Sequence, residues 1–128
     1  MDTMKVFKCE KCGKMLLTMI DSGCIPFCCG EETTKLTANT SDGALEKHVP
    51  AVKAEGNKFS VQVGDVEHPM MEAHYIQWIA LETASGIQVK YLKPGEKPCA
   101  EFIISEGEIA EAVYEYCNLH GLWKKDLA

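Results

Sequence analysis

The sequence predicts a mainly β chain: a small N-terminal unit stapled by metal, followed by a β-sandwich. From Val49 onward, short β-rich segments alternate with turn signals built on Gly, Pro, Asn and Asp. The first 37 residues hold too few apolar side chains for a core of their own, and a unit that small normally needs a metal or disulfides instead. They do hold five of the chain's seven cysteines.

At 128 residues, with 46% hydrophobic and 25% charged side chains, the chain suits one domain plus a small module and is folded rather than disordered. Its formal charge of −6 argues against non-specific nucleic-acid binding and against an anionic membrane surface as partner. No apolar run approaches the length of a membrane span, and residues 1–9 show no signal peptide. An odd number of cysteines without an export signal points to metal binding or redox chemistry in a reducing compartment. The expected location is therefore the cytoplasm.

Lys5 to Lys8 reads as a short strand leading into Cys9-Glu10-Lys11-Cys12-Gly13. Met15 to Ile20 is strand-like, Asp21-Ser22-Gly23 is a turn, and Pro26-Phe27-Cys28-Cys29-Gly30 follows. Cys9-x2-Cys12 with Cys28-Cys29 offers four thiolates to one tetrahedral zinc or iron. The glycine after Cys12 permits a knuckle whose backbone amides point at the sulfurs. Adjacent Cys28 and Cys29 depart from the second Cys-x2-Cys of a zinc ribbon and predict a more open arrangement. A purely structural zinc staple is the competing reading of these four residues. Cys24 reads as a small filler or an idle thiol. Residues 38–45 read as a polar linker with a turn at Asp42-Gly43.

From Glu46 the pattern is β. Val49 to Glu55 is a strand, Gly56-Asn57 a turn, and Lys58 to Gly64 alternates, with Phe59, Val61 and Val63 on one face. His74 to Thr83 places Ile76, Trp78 and Ala80 on one face and Tyr75, Ile79 and Leu81 on the other, which suggests a central strand or a subunit interface. Ile87 to Leu92 and Cys99 to Ser105 are further strands, with Cys99 read as a buried filler. Residues 106–116 hold helix formers and can be read as helix or strand.

All four histidines lie in loop-like stretches. His68 and His74 flank Pro69 at a spacing that suits neither one helix face nor one continuous strand. Cys117-x2-His120 is a tight chelate on a turn, and His48 precedes Pro50 at the linker exit. Taken singly, each histidine is most simply a surface or core residue. Their conjunction with Cys117 points to one redox-active metal on His48, His68, His74, His120 and Cys117, for which iron, copper and zinc are all suited. Five donors on a metal that prefers six leave one position open, as a reactive site requires and a structural site does not.

Taken together, Cys9-x2-Cys12 with Cys28-Cys29, Glu46-Lys47-His48-Val49-Pro50, His68-Pro69-Met70 with His74-Tyr75-Ile76, and Tyr116-Cys117-Asn118-Leu119-His120-Gly121-Leu122-Trp123 resemble desulfoferrodoxin, the two-iron class of superoxide reductase. The resemblance runs from Val6 to Lys124. It implies a desulforedoxin-like domain over residues 1–37, with iron on Cys9, Cys12, Cys28 and Cys29. It implies an immunoglobulin-like β-sandwich over residues 38–128, which carries a second, catalytic iron. There His48, His68, His74 and His120 would be equatorial ligands and Cys117 the axial thiolate. Lys47 would attract and orient superoxide, and Glu46 would take the sixth position of the oxidised iron. Residues 107–116 would be strand. The implied reaction is one-electron reduction of superoxide to hydrogen peroxide, with an external donor such as rubredoxin, in a homodimer from an anaerobic or microaerophilic prokaryote. Cys24 and Cys99 lie outside the implied ligand set. The rival classes are a non-catalytic iron electron carrier with a closed histidine site, and a zinc-stabilised interaction module with Trp78 and Trp123 at an interface. A hydrolytic zinc enzyme is disfavoured, because five donors that include a thiolate leave little Lewis acidity for water.

Overall fold

The computed structural model of the chain describes residues 4–40 and 45–127, apart from the side chain of Glu46. The turn expected at Asp42-Gly43 lies outside the described residues. The chain divides into two compact units, Met1–Thr37 and Ala38–Ala128.

In the first unit, β1 (Val6–Lys8) pairs antiparallel with β2 (Met15–Leu17) on one side and β5 (Thr34–Lys35) on the other. A separate hairpin joins β3 (Phe27–Cys28) to β4 (Glu31–Glu32). Its two central residues, Cys29 and Gly30, both have positive φ, at 54° and 77°. That is the conformation a two-residue hairpin needs to match strand twist, and Cys29 adopts it without being glycine. The strand expected from Met15 to Ile20 stops at Leu17: the Thr18 N–H still donates to the Lys5 carbonyl at 3.0 Å, and the chain then bends away at residues 19–20. Met19 and Ile20 are accordingly exposed, at 92% and 89%.

In the second unit, one helical turn, α1 (Leu45–His48), stands where β structure was expected. The Val49 N–H donates to the Leu45 carbonyl at 3.0 Å, and Pro50 then forces the chain to extend. Strands β6 (Pro50–Glu55), β7 (Lys58–Val63) and β10 (Cys99–Ile103) form one sheet in the order β10-β7-β6. Strands β8 (Ile76–Thr83), β9 (Gly86–Tyr91), β11 (Ala110–Cys117) and β12 (Gly121–Asp126) form the other, in the order β12-β11-β8-β9. All pairs are antiparallel. The four-plus-three arrangement is an immunoglobulin-like sandwich. Val61, Val63, Phe102 and Ile104 meet Ile76, Ile79, Leu81, Val113 and Cys117 in its core.

The ambiguous stretch before Cys117 is strand from Ala110, and pairing on both edges overrides its helix formers. The face assignment of β8 is corrected at one residue. A register irregularity opposite Tyr116 and Cys117 leaves Ile76 in the core with Ile79 and Leu81, not beside Trp78. Trp78 instead stacks on Tyr116, with centroids 6.1 Å apart. Cys99 is exposed and is no buried filler. Ala100 and Phe102 take the inward positions of β10, so strand alternation turns Cys99 outward. Cys24 is also exposed, which leaves only the idle-thiol reading. No helix among the described residues is long and apolar enough to cross a membrane.

Candidate metal centres

The first unit gathers the sulfurs of Cys9, Cys12, Cys28 and Cys29 within 4.8 Å of one another. Local backbone chemistry explains the first pair. Gly13, at φ 82°, lets the chain turn back so that its N–H reaches the Cys9 carbonyl at 2.9 Å, and the Cys9 N–H reaches the Lys14 carbonyl at 2.8 Å. The Cys12 N–H then points at Cys9 Sγ, 3.5 Å away. That amide is the main cause that draws the Cys9 thiol down to about 6, against the cost of burial. Cys28 is raised and Cys29 is pushed up to about 12, chiefly by the neighbouring Cys12 sulfur. Four sulfurs this close repel one another as thiolates, and none is in a disulfide. A bound cation removes that conflict, so the donor set fits a tetrahedral metal.

The second unit brings the four histidines together from three separate segments. His48 ends α1, His68 and His74 flank the loop before β8, and His120 sits in the β11–β12 turn, three residues after Cys117. Their rings form a closed circuit: His48–His68 4.7 Å, His68–His74 4.7 Å, His74–His120 5.0 Å and His120–His48 4.7 Å between centroids, each edge-to-face. Donor atoms of His48, His68, Cys117 and His120 all lie within 4.8 Å of one another, and His74 joins only through its ring contacts. Cys117 Sγ is 3.9 Å from His120 Nδ1.

These rings are held in place by their other edges. His68 Nδ1 lies 2.7 Å from the Pro69 carbonyl, so that edge donates a hydrogen bond. Its Nε2 is then a lone pair, and both it and His74 Nε2 are buried without a hydrogen-bond partner among the described residues. A buried polar atom left unsatisfied costs about 1–3 kcal/mol, and a metal on these lone pairs would remove that cost. Trp123 stacks on His48 at 4.9 Å and 13°, while its Nε1–H donates to the His120 carbonyl at 2.9 Å. Trp123 is thus buried support for the site and lies at no exposed interface.

Burial, reinforced by the neighbouring imidazoles, brings His48 down to about 4 and lowers His68 and His74. All three are neutral at pH 7, the form that binds metal. Burial raises the Cys117 thiol, partly offset by the backbone amides of His120 and Leu119. Lys47 is exposed on α1, and its charge reaches His48, His68 and His74. The Glu46 side chain lies outside the described residues.

Sequence reasoning passed over Glu115. It is fully buried, with Oε2 3.5 Å from His48 Nδ1 and neither oxygen hydrogen-bonded among the described residues. Burial pushes its carboxyl well above the usual range. The available signal was its parity: it stands between Val113 and Cys117 on the inward face of β11.

The family model described as desulfoferrodoxin matches residues 40–126. The desulfoferrodoxin of Nitratidesulfovibrio vulgaris is 44% identical over 123 residues, covering 95% of each chain. A desulfoferrodoxin homologue of Archaeoglobus fulgidus is 40% identical over 123 residues, covering 96% of this chain and 97% of its own. Among solved structures, the superoxide reductase from Treponema pallidum superposes with a TM-score of 0.82 at 33% identity, over 98% of this chain and 100% of that one. A tetrathiolate unit, a sandwich with four imidazoles and a thiolate, and likeness over nearly the whole length all lead to the same assignment: the chain belongs to the desulfoferrodoxin family.

Proposed function

We propose that this chain is a superoxide reductase, converting superoxide to hydrogen peroxide with the uptake of one electron and two protons and no release of dioxygen. The observation that carries the reading is the closed circuit of four imidazoles beside buried Cys117, with unpartnered buried nitrogens that suit a single cation. His48, His68, His74, His120 and Cys117 would hold an iron, whose contribution when bound would be the electron given to superoxide. Residues 1–37 are the desulforedoxin-like domain that holds a second iron on Cys9, Cys12, Cys28 and Cys29, and residues 38–128 are the catalytic domain.

The side chains divide the remaining work. Four neutral imidazoles and one thiolate contribute a single negative charge, so they leave a divalent cation attractive to an anion despite the chain's formal charge of −6. Lys47 adds a positive group at the approach and positions a water as proton source. Cys117 would hold the iron through its thiolate and donate electron density to it. Glu46 would supply a carboxylate ligand to the iron once it is oxidised. The electron is replaced from outside by a small carrier such as rubredoxin, with the tetrathiolate site as relay or store. The working form is a homodimer, a reading supported by the exposed Met19, Ile20 and Phe27 of the first unit, and its place is the cytoplasm, where reducing conditions keep the clustered thiols free for metal.

The test is iron and zinc content of protein purified without air, followed by pulses of superoxide on the reduced protein. Two irons per chain and rapid loss of superoxide, with peroxide formed and no dioxygen, are expected. Stoichiometric dioxygen or zinc in both sites would overturn the assignment. Two irons without reaction would leave the non-catalytic electron carrier.

A further inference from the structure

The loop that carries His74 has little of its own to hold it. Met71, Glu72 and Ala73 are exposed. The His74 backbone closes only on Met71, donating at 2.9 Å and accepting at 3.0 Å. Three backbone groups on either side of it go to one residue. Asn118 Oδ1 accepts from the Tyr75 N–H at 2.9 Å, Asn118 Nδ2 donates to the Ala73 carbonyl at 3.1 Å, and the Asn118 N–H donates to the Tyr75 carbonyl at 3.2 Å.

Asn118 lies between Cys117 and His120. Its three hydrogen bonds therefore bracket His74 on both sides and tie its loop to the turn that holds two other candidate ligands. A primary amide suits this task, because it presents an acceptor and a donor at its two ends, and here the partners fix which end is which. His74 is also the one histidine outside the tight convergence of His48, His68, Cys117 and His120. Its position therefore rests on a segment other than its own.

We propose that Asn118 is the positioning residue for His74: its side-chain bridge to Ala73 and Tyr75 delivers the fourth imidazole to the metal. This rests on the reading of the histidine site as a metal centre. Metal-ligating histidines are commonly oriented by partners outside the ligand set, and loss of such a partner costs about tenfold or more in metal affinity. Here the partner grips the backbone on either side of the histidine and leaves its ring free.

The experiment uses the full chain and cobalt(II) as the probe metal, in wild type, Asn118→Ala, His74→Ala and the double variant. Asn118→Ala should weaken cobalt binding at the histidine site by about tenfold or more, with the thiolate-to-cobalt absorption of the tetrathiolate site unchanged. Its ligand-field bands should move towards those of His74→Ala. In the double variant, loss of Asn118 should add little, because its only route to the metal has gone. Wild-type affinity and spectrum in Asn118→Ala, or losses that add in full in the double variant, would overturn the proposal. Should Asn118→Ala fail to fold, Asn118→Asp serves the same comparison, since it keeps the acceptor for Tyr75 but sets lone pairs against the Ala73 carbonyl. A wild-type protein that binds no cobalt on its histidines would instead bring down the metal-site reading itself.

Discussion

Lys47 is an exposed positive charge whose field reaches His48, His68 and His74 in an acidic chain. Lys47→Ala is expected to slow the second-order reaction with superoxide by about tenfold at low salt and to flatten its ionic-strength dependence, as read by pulse radiolysis. Cys117→Ser should remove the thiolate-to-iron absorption of the histidine site and spare that of the tetrathiolate site, a difference visible in the optical spectrum. The metal-free protein has a pH dependence set by opposed residues. His48, His68 and His74 are depressed below their unfolded values, so their contribution to stability is present above about 6.5 and is lost as pH falls, down to about 4 for His48. Glu115 is raised, so its contribution is present below its unfolded value and is lost as pH rises towards its folded one. Thermal stability of the metal-free protein should thus fall between pH 6.5 and 4, most clearly in Glu115→Gln, where the opposing carboxyl is gone. Glu115→Gln, which cannot ionise, should unfold at a higher temperature than wild type at pH 7.

At the scale of elements, the strands of the sandwich were legible where one face alternates cleanly, as Phe59, Val61 and Val63 do. They were less legible where the partner strand decides the outcome. The irregularity that turns Ile76 inward is a property of pairing with β11, and β11 itself has helix formers that only its two neighbours overrule. The histidine and thiol side chains of the candidate site stood out because few other residues can bind metal and they occur in short motifs. Glu115 and Asn118 carry no such label: their importance lies in what folding places beside them. One turn combines both kinds of information. Gly121 closes the β11–β12 hairpin at φ 83°, opposite Cys117. Gly121→Ala should cost about 1–2 kcal/mol in denaturant unfolding, because an L side chain resists that conformation.

On the scale of the whole molecule, two units solve the problem of stability differently. The sandwich has a continuous apolar core between its sheets, whereas the first unit has three short strands, a hairpin and four crowded sulfurs. Removing metal should therefore loosen the first unit selectively. Limited proteolysis of chelated protein is expected to cut within residues 4–37 while the sandwich survives, and equal digestion of both units would contradict that. The spacing of the donors also has a temporal meaning. Every thiolate of the first unit has been made once Cys29 is in the chain, but the circuit of imidazoles draws on His48, His68, His74 and His120 and cannot close until His120 has been synthesised. A chain growing on the ribosome thus has its four clustered thiols in sequence while most of the sandwich does not yet exist. The second donor set is complete only with the last β-hairpin, so the direction of translation fixes the order in which the two donor sets are completed.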